Sequence, residues 1–282
     1  MTRQTSDNNL PFMKMHGLGN DFVVVDRRQG GRAVTSVEAR AIGDRHRGVG
    51  FDQLAVIENA EDATANLIFF NAGGSLSAAC GNATRCIARH LMEETGDSRL
   101  TLKTERGILI CEDAGESLTR VNMGTPFLEW RDIPLAEAMD TLELPIEGSP
   151  TATGMGNPHC TFFVDDAEAV DLEGRGDAME HHPLFPERTN VQFVSVLGDN
   201  HLRMRVWDRG VGVTLASGSS SCEVAGAAHR RGLADRSVTI DLDGGRIWVD
   251  WRDDGVWMTG PTQHVFSGVF TEDFLEGAGD GS

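Results

Sequence analysis

Two short segments of this 282-residue chain, Ala79-Cys80-Gly81-Asn82 and Ala216-Ser217-Gly218-Ser219, combine residue types that can do chemistry together. In each, a small nucleophilic side chain precedes a glycine where a helical pattern begins. The first N–H groups of a helix have no intrahelical partner and carry a positive partial charge, so they can hold a carboxylate, and the glycine lets a ligand approach the backbone. The same field draws a cysteine pKa from about 8.5 toward neutrality, making thiolate available as a base. Taken alone, Cys80 reads more simply as a buried small residue and Ser217 as a helix cap. Taken together, 137 positions apart, they suggest one base for each face of a carbon. That is what a racemase or epimerase without a cofactor needs: a proton leaves one side of a stereocentre and another arrives on the opposite side. N–H contacts to the α-carboxylate would stabilise the enediolate formed in between.

The same separation recurs along the chain. Asn20 and Asn157 each follow a glycine and precede an apolar run; Gln53-Leu-Ala-Val-Ile57 matches Asn190-Val-Gln-Phe-Val194; Phe70-Asn71-Ala-Gly73 matches Trp207-Asp208-Arg-Gly210. All are 137 positions apart, and the offset slips to 135 at Asn122-Met-Gly-Thr-Pro126 and Trp257-Met-Thr-Gly-Pro261. Such a period marks a duplication. Strand-like runs fall at Phe22–Val25, Leu54–Ile57, Asn66–Phe70, Gly107–Cys111, Thr161–Val164, Val191–Val196, Arg203–Trp207, Val238–Leu242 and Arg246–Trp251. Helical spacing covers Asn82–Glu94, stopped by Gly96, and Ser219–Arg231, stopped by Gly232. Both helices are rich in small residues and nearly uncharged at their starts, as buried helices are. The expected fold is α+β: two pseudo-twofold-related, barrel-like β-rich lobes, each wrapped around one central helix, with the active site in the cleft between them. The expected division is a disordered tail over 1–11, an N-terminal lobe over 12–127 joined by the strand region 263–276, and a C-terminal lobe over 128–262. The last six residues, Gly-Ala-Gly-Asp-Gly-Ser282, also read as a disordered end.

Composition narrows the function classes. With 43 acids against 25 bases the formal charge is −18, which repels phosphate backbones and anionic lipid, so neither nucleic acid nor a membrane surface is an expected partner. Only two of the bases are lysines, Lys14 and Lys103, which discourages pyridoxal-phosphate chemistry. No P-loop, GxGxxG or HExxH pattern is present, and no metal is assigned, His181-His182 reading as a solvated loop. Five cysteines without a CxxC pair argue against a disulfide framework or a structural zinc, and no apolar run approaches a membrane span. These features point to a reduced, cytoplasmic protein.

The segments Met15-His-Gly-Leu-Gly-Asn-Asp-Phe22, Gly48-Val-Gly-Phe-Asp-Gln53, Cys80-Gly-Asn82 with Arg85-Cys86, Met155-Gly-Asn-Pro-His159, Glu187-Arg-Thr-Asn190, Asp208-Arg-Gly210 and Met258-Thr-Gly-Pro261 resemble the diaminopimelate epimerases from about Phe12 to Phe270. The resemblance implies interconversion of LL- and meso-diaminopimelate, for lysine and peptidoglycan synthesis, by two cysteines without a cofactor, in a homodimer. It implies that Cys80 is one acid/base, that Gly81-Asn82 and Gly218-Ser219 hold the reacting carboxylate, and that Asn20, Gln53, Asn71, Asn157, Asn190, Asp208 and Arg209 line the rest of a site for an amino-acid dicarboxylate. His159 and Asp208 would tune the acid/base pair. Plain structural alternatives stay open for single residues: a surface ion pair for Arg209, a satisfied imidazole for His159, turn positions for Asn20 and Asn157.

Three positions depart from the family pattern. Ser217 stands where the second catalytic cysteine is expected, inside Leu215-Ala-Ser-Gly-Ser-Ser-Ser-Cys222; Asp208 replaces a usual Glu; Asn71-Ala-Gly-Gly-Ser75 lacks the usual acid before its second glycine. A hydroxyl is a far weaker acid than a thiol, and Cys222 lies more than one helical turn from position 217. The chain is thus expected to be a diaminopimelate epimerase slowed at one arm. The alternatives are an isomerase or dehydratase of another amino acid with a mixed Cys/Ser pair, as in the similar proline-racemase group, and a ligand-binding paralogue without catalysis.

Overall fold

The computed structural model describes residues 9–278. In chain order the first elements are β1 (Leu10–Gly17), β2 (Asn20–Asp26), α1 (Ser36–Gly43), β3 (Gln53–Glu58), β4 (Ala65–Asn71), β5 (Leu76–Ser77), α2 (Gly81–Thr95), β6 (Arg99–Thr104), β7 (Gly107–Gly115) and β8 (Leu118–Asn122). There follow β9 (Thr151–Gly154), β10 (Pro158–Phe163), α3 (Leu172–Glu180), β11 (Asn190–Gly198), β12 (His201–Asp208), β13 (Gly212–Thr214) and α4 (Gly218–Arg230). The chain closes with β14 (Ser237–Leu242), β15 (Gly245–Arg252), β16 (Gly255–Pro261), β17 (Gln263–Phe270) and α5 (Glu272–Gly277).

Two compact units result. One comprises the described residues of Met1–Gly17, Asp21–Thr119 and Thr262–Ser282; the other comprises Leu18–Asn20 and Arg120–Pro261. The first boundary falls inside β8, earlier than residue 127. Of the N-terminal tail expected over 1–11, residues 1–8 lie outside the described residues. Leu10 and Pro11 already belong to β1, because Leu10 is buried beside Phe12, Val23 and Phe270 and pairs with Phe270. At the other end Gly277 and Ala278 finish α5, and the last four residues lie outside the described ones.

The two units repeat one order of strands. In the first, β2 and β3 run parallel with Phe22 opposite Gln53, β3 and β4 run antiparallel with Gln53 opposite Asn71, β4 pairs with the short β5, and β6 and β7 form a hairpin. In the second, β10 and β11 run parallel with His159 opposite Asn190, β11 and β12 run antiparallel, β12 pairs with the short β13, and β14 and β15 form a hairpin. The paired positions keep the 137-residue spacing.

Each unit buries one helix. The first eight residues of α2, Gly81 to Ala88, are all buried, and Gly96 ends the helix in the left-handed region at φ 79°, where a side chain would be strained. In α4, Ser220 through Ala228 are buried, and the helix packs on β9, β10, β11, β14, β15 and β16. Apolar residues from these strands, among them Met204, Val206, Ile240 and Val249, close over Cys222, Val224, Ala225 and Ala228. The expected helix spans are displaced by a single residue at their starts. Helix α1 went unread, although Thr35 and Glu38 form a capping box at its start.

Outside the repeat, α3 and the irregular segment 128–150 cover the far side of β10 and β11. Ile133, Leu135 and Leu144 pack there with Phe162, Phe185 and Phe193, and Arg175 lies over the Phe162 and Phe193 rings at 5.2 and 4.8 Å. Arg230 at the end of α4 helps to tie this segment down: its guanidinium donates to Thr141 Oγ1 at 2.8 Å and to the Ala152 carbonyl at 3.2 Å. We therefore expect Arg230→Ala to destabilise the protein by about 2 kcal/mol, the range for hydrogen bonds to a charged group. Removing the exposed Arg246, which pairs with Asp241, should change the midpoint of urea unfolding little.

Candidate active site

In the first unit the end of β4 and the starts of β3 and α2 supply the side chains singled out by the sequence. Cys80 is the N-cap of α2, with extended backbone, and its Sγ accepts from the Ala83 N–H at 3.5 Å. Its carbonyl accepts from the Thr84 N–H at 2.9 Å and the Thr84 hydroxyl at 2.8 Å, which locks the first turn. Gly81 and Asn82 follow inside that turn, both buried. Gln53 donates through Nε2 to Asn71 Oδ1 at 3.3 Å and to Ser77 Oγ at 3.1 Å, and Asn71 Nδ2 donates to Ser75 Oγ at 3.1 Å. Gln53 and Asn71 are thereby joined as neighbours, and Ser77, which the sequence reading missed, completes the group.

The electrostatics of Cys80 correct one expectation. Burial pushes its thiol up to about 12, against the downward pull of the Ala83 and Asn82 N–H groups and the Arg85 charge; Asp52 adds to the rise. The helix start acts in the expected direction, but losing water costs the thiolate more than the helix field returns. The resting group is the thiol.

In the second unit Ser217 is the N-cap of α4, and its hydroxyl makes no capping hydrogen bond. Its carbonyl instead accepts from the Ser221 N–H at 3.1 Å and the Ser221 hydroxyl at 2.8 Å. The plain reading of Ser217 as a side-chain cap is therefore not what the structure has. Gly218 and Ser219 follow in the first turn. Asn20 arrives here through its glycine: Gly19, at φ 85°, lies so close to Leu215 that an added Cβ would sit 2.6 Å from the Leu215 Cδ1.

The remaining candidates cluster at the ends of β10, β11 and β12. Asn190 donates through Nδ2 to the Pro158 carbonyl at 3.0 Å and accepts from the Arg209 N–H at 3.0 Å, so one buried amide fixes two loops. Arg209 also donates through Nη1 to the Glu187 carbonyl at 2.9 Å, a hold on its side chain by backbone rather than by a surface ion pair. Asp208 accepts from the Thr214 hydroxyl at 2.6 Å. Asn157 is half-buried, and its Oδ1 is enclosed without a hydrogen-bond partner among the described residues. His159 is fully buried, with Nδ1 3.0 Å from Gln192 Nε2.

The sequence reading passed over the supports of these groups. Glu180, buried at the end of α3, accepts from the Trp207 indole at 2.7 Å and the Gly210 N–H at 3.0 Å, and so braces the turn that carries Asp208 and Arg209. Gln192, Thr161 and Ser220 were passed over as well. The available signal was polarity at alternate strand positions, His159 and Thr161 on one strand and Asn190 and Gln192 on the other, where a buried face should be apolar.

Comparison with known proteins identifies the family. A family model described as diaminopimelate epimerase matches residues 12–128 and 151–265. The chain is 49% identical over 274 residues to the diaminopimelate epimerase of Rhodospirillum centenum, covering 95% of this chain and 94% of that protein. It is 51% identical over 264 residues to that of Acidiphilium cryptum, covering 92% and 95%. Among solved structures, a hydroxyproline epimerase from Agrobacterium vitis shares the fold with a TM-score of 0.68 at 15% identity, over 93% of this chain and 91% of that one. A PhzF-family protein of Bacillus anthracis shares it with a TM-score of 0.67 at 15% identity, over 93% and 99%. The architecture is thus the expected α+β fold with a helix in each β-rich unit, and the chain belongs to the diaminopimelate epimerase family.

Proposed function

We propose that this protein converts LL-diaminopimelate to meso-diaminopimelate, without a cofactor, using Cys80 and Ser217 as its two acid/base groups. The observation that carries the reading is the duplicated helix start: Cys80 and Ser217 occupy the N-cap positions of the two buried helices, each followed by a glycine. In the reaction the group present as its anion, for Cys80 the minor thiolate form, takes the α-proton, the bonding pair passes into the carboxylate as an enediolate, the other group, still protonated, returns a proton to the opposite face, and proton exchange with water resets the pair. N–H groups of Gly81 and Asn82 and of Gly218 and Ser219 are suited to the developing oxyanions. Arg209 suits the distal carboxylate, Asn157 offers an unused acceptor to an ammonium group, and Asn20, Gln53, Asn71 and Asn190 complete the polar lining, with His159 and Asp208 tuning the pair. A second reading, an isomerase for a different amino acid, is favoured by Ser217 itself, since a hydroxyl makes a poor partner for a thiol in a symmetrical two-base exchange.

In D₂O, solvent deuterium is expected at the inverted carbon of diaminopimelate. Cys80→Ala should abolish both inversion and label, and Ser217→Cys should raise kcat by about 10²-fold or more. LL-diaminopimelate returned unlabelled and uninverted by wild type and Ser217→Cys alike would defeat the reading, and turnover of another amino acid alone would select the second.

The raised thiol pKa has its own consequence. Because the charged form is disfavoured, Cys80 is protonated throughout the neutral range and gains thiolate only as pH climbs toward about 12. Alkylation of Cys80 by iodoacetamide at pH 7.5, followed by peptide mass spectrometry, should be slower than that of free cysteine, and should quicken steadily with pH.

We also infer a cytoplasmic homodimer. All five cysteines are free, and among the described residues no helix is long and apolar enough to cross a membrane. Strand β17 exposes Val265, Phe266 and Val269, at 53, 46 and 56%, beside a groove of about 540 Å³ lined by Pro11, Met13, Val24, Asp26, His90 and Glu94. A second copy meeting this strand would cover the exposed side chains. Sedimentation equilibrium should give a dimer for the wild type and a monomer for Val265→Glu/Val269→Glu.

A further inference from the structure

Four polar side chains lie between β10, β11 and α4, and the roles assigned above do not account for three of them. Parallel pairing sets His159 opposite Asn190 and Thr161 opposite Gln192, so alternation places His159, Thr161 and Gln192 on one face. These three and Ser220, in the first turn of α4, are each 0% exposed. The next inward position on β11, Val194, is an ordinary core residue.

Gln192 is the hub. Its Nε2 donates to His159 Nδ1 at 3.0 Å and to Ser220 Oγ at 3.0 Å, and its Oε1 accepts from Thr161 Oγ1 at 3.1 Å. Both amide hydrogens and the carbonyl are used. An amide buried without partners would be costly, and an apolar side chain of similar volume would avoid that cost altogether, so a fully satisfied buried glutamine serves something other than filling space.

A ring nitrogen that accepts a hydrogen bond carries no proton. Since His159 Nδ1 faces an N–H donor, the ring proton resides on Nε2. We propose that Gln192 is a positioning residue: it holds His159 in the neutral Nε2–H tautomer and, through Ser220, ties the ring to the turn of α4 that begins at Ser217. His159 then presents a hydrogen-bond donor and has no lone pair at Nε2 to take a proton, so it orients or stabilises its neighbours and is not a base. The catalytic consequence rests on the epimerase reading; the tautomer does not.

The test separates the two. The ¹⁵N and ¹³C resonances of the His159 ring, assigned with His159→Gln, should show the neutral Nε2–H form in the resting protein at pH 8. Gln192→Glu keeps the shape but can only accept at Nδ1, so the ring proton should move to Nδ1. Gln192→Met removes all three hydrogen bonds at similar volume, and the ring should become a mixture of tautomers. With diaminopimelate as substrate, kcat should fall about tenfold or more in Gln192→Glu while KM stays within about twofold. An Nδ1–H ring in the wild type, or an unchanged Nε2–H ring in both variants, overturns the proposal, and so does an unchanged kcat in a Gln192→Glu protein whose tautomer has switched. The expected tautomers in a wild-type protein that turns over no diaminopimelate would uphold the role of Gln192 in setting the ring and reject the epimerase reading.

Discussion

The first four N–H groups of an α-helix have no partner within the helix, and in both units of this protein the helix start is enclosed by β-strands rather than left to water. Most of what is unusual in the fold answers that constraint. Glycines at 81 and 218 keep the first turn open, and small residues along both helices let strands close around them on several sides. The N-cap side chains divide the work differently: Cys80 lends its sulfur to the Ala83 N–H, whereas the Ser217 hydroxyl caps nothing and the first turn of α4 is held through Ser221 instead. A buried helix start carries a positive partial charge, which is why the proposed function places the reacting carboxylate there.

The polar residues on the surrounding strands follow from the same demand for rigidity. Asn190 ties the Pro158 carbonyl to the Arg209 N–H, and Glu180 ties Trp207 to Gly210. Every such group is buried and answers several donors or acceptors at once, so losing one leaves others stranded. The candidate site residues are therefore fixed by bonds lying one layer behind them.

Much of this was legible in the sequence because duplication is a pattern in numbers, not in identities. The matched glycines, amides and helix starts at a constant spacing located both helices and the strands beside them, and the structure sets Gln53 and Asn190 in equivalent registers of two parallel pairs. What escaped was whatever depends on where a side chain finds its partner. Gln192 and Glu180 are polar letters in apolar stretches, and nothing local separates a hub from a solvated position until the facing helix is known. Leu10 was read as tail because one buried residue at the end of a polar run has no period. The Cys80 thiol was misjudged because helix field and desolvation oppose each other, and the spacing of residues reports only the first.

The scarcity of lysine acquires a structural meaning in this setting. Lys14 pairs with Asp21 and donates to the Gly50 carbonyl, while Arg45 bridges Asp21 and Asp52 at 2.8 Å each. Burial alone would raise the Asp21 carboxyl, yet the hydrogen bonds from Arg45 and Lys14 hold it below the ordinary range. Asp52 is the acid whose charge reaches Cys80, and Arg45 of this cluster pairs with it. A chain of charge −18 that must admit a dicarboxylate has to cancel its own acids close to the helix start, and Lys14, with its ammonium group held by a carboxylate and a carbonyl, serves as a counter-ion rather than a nucleophile.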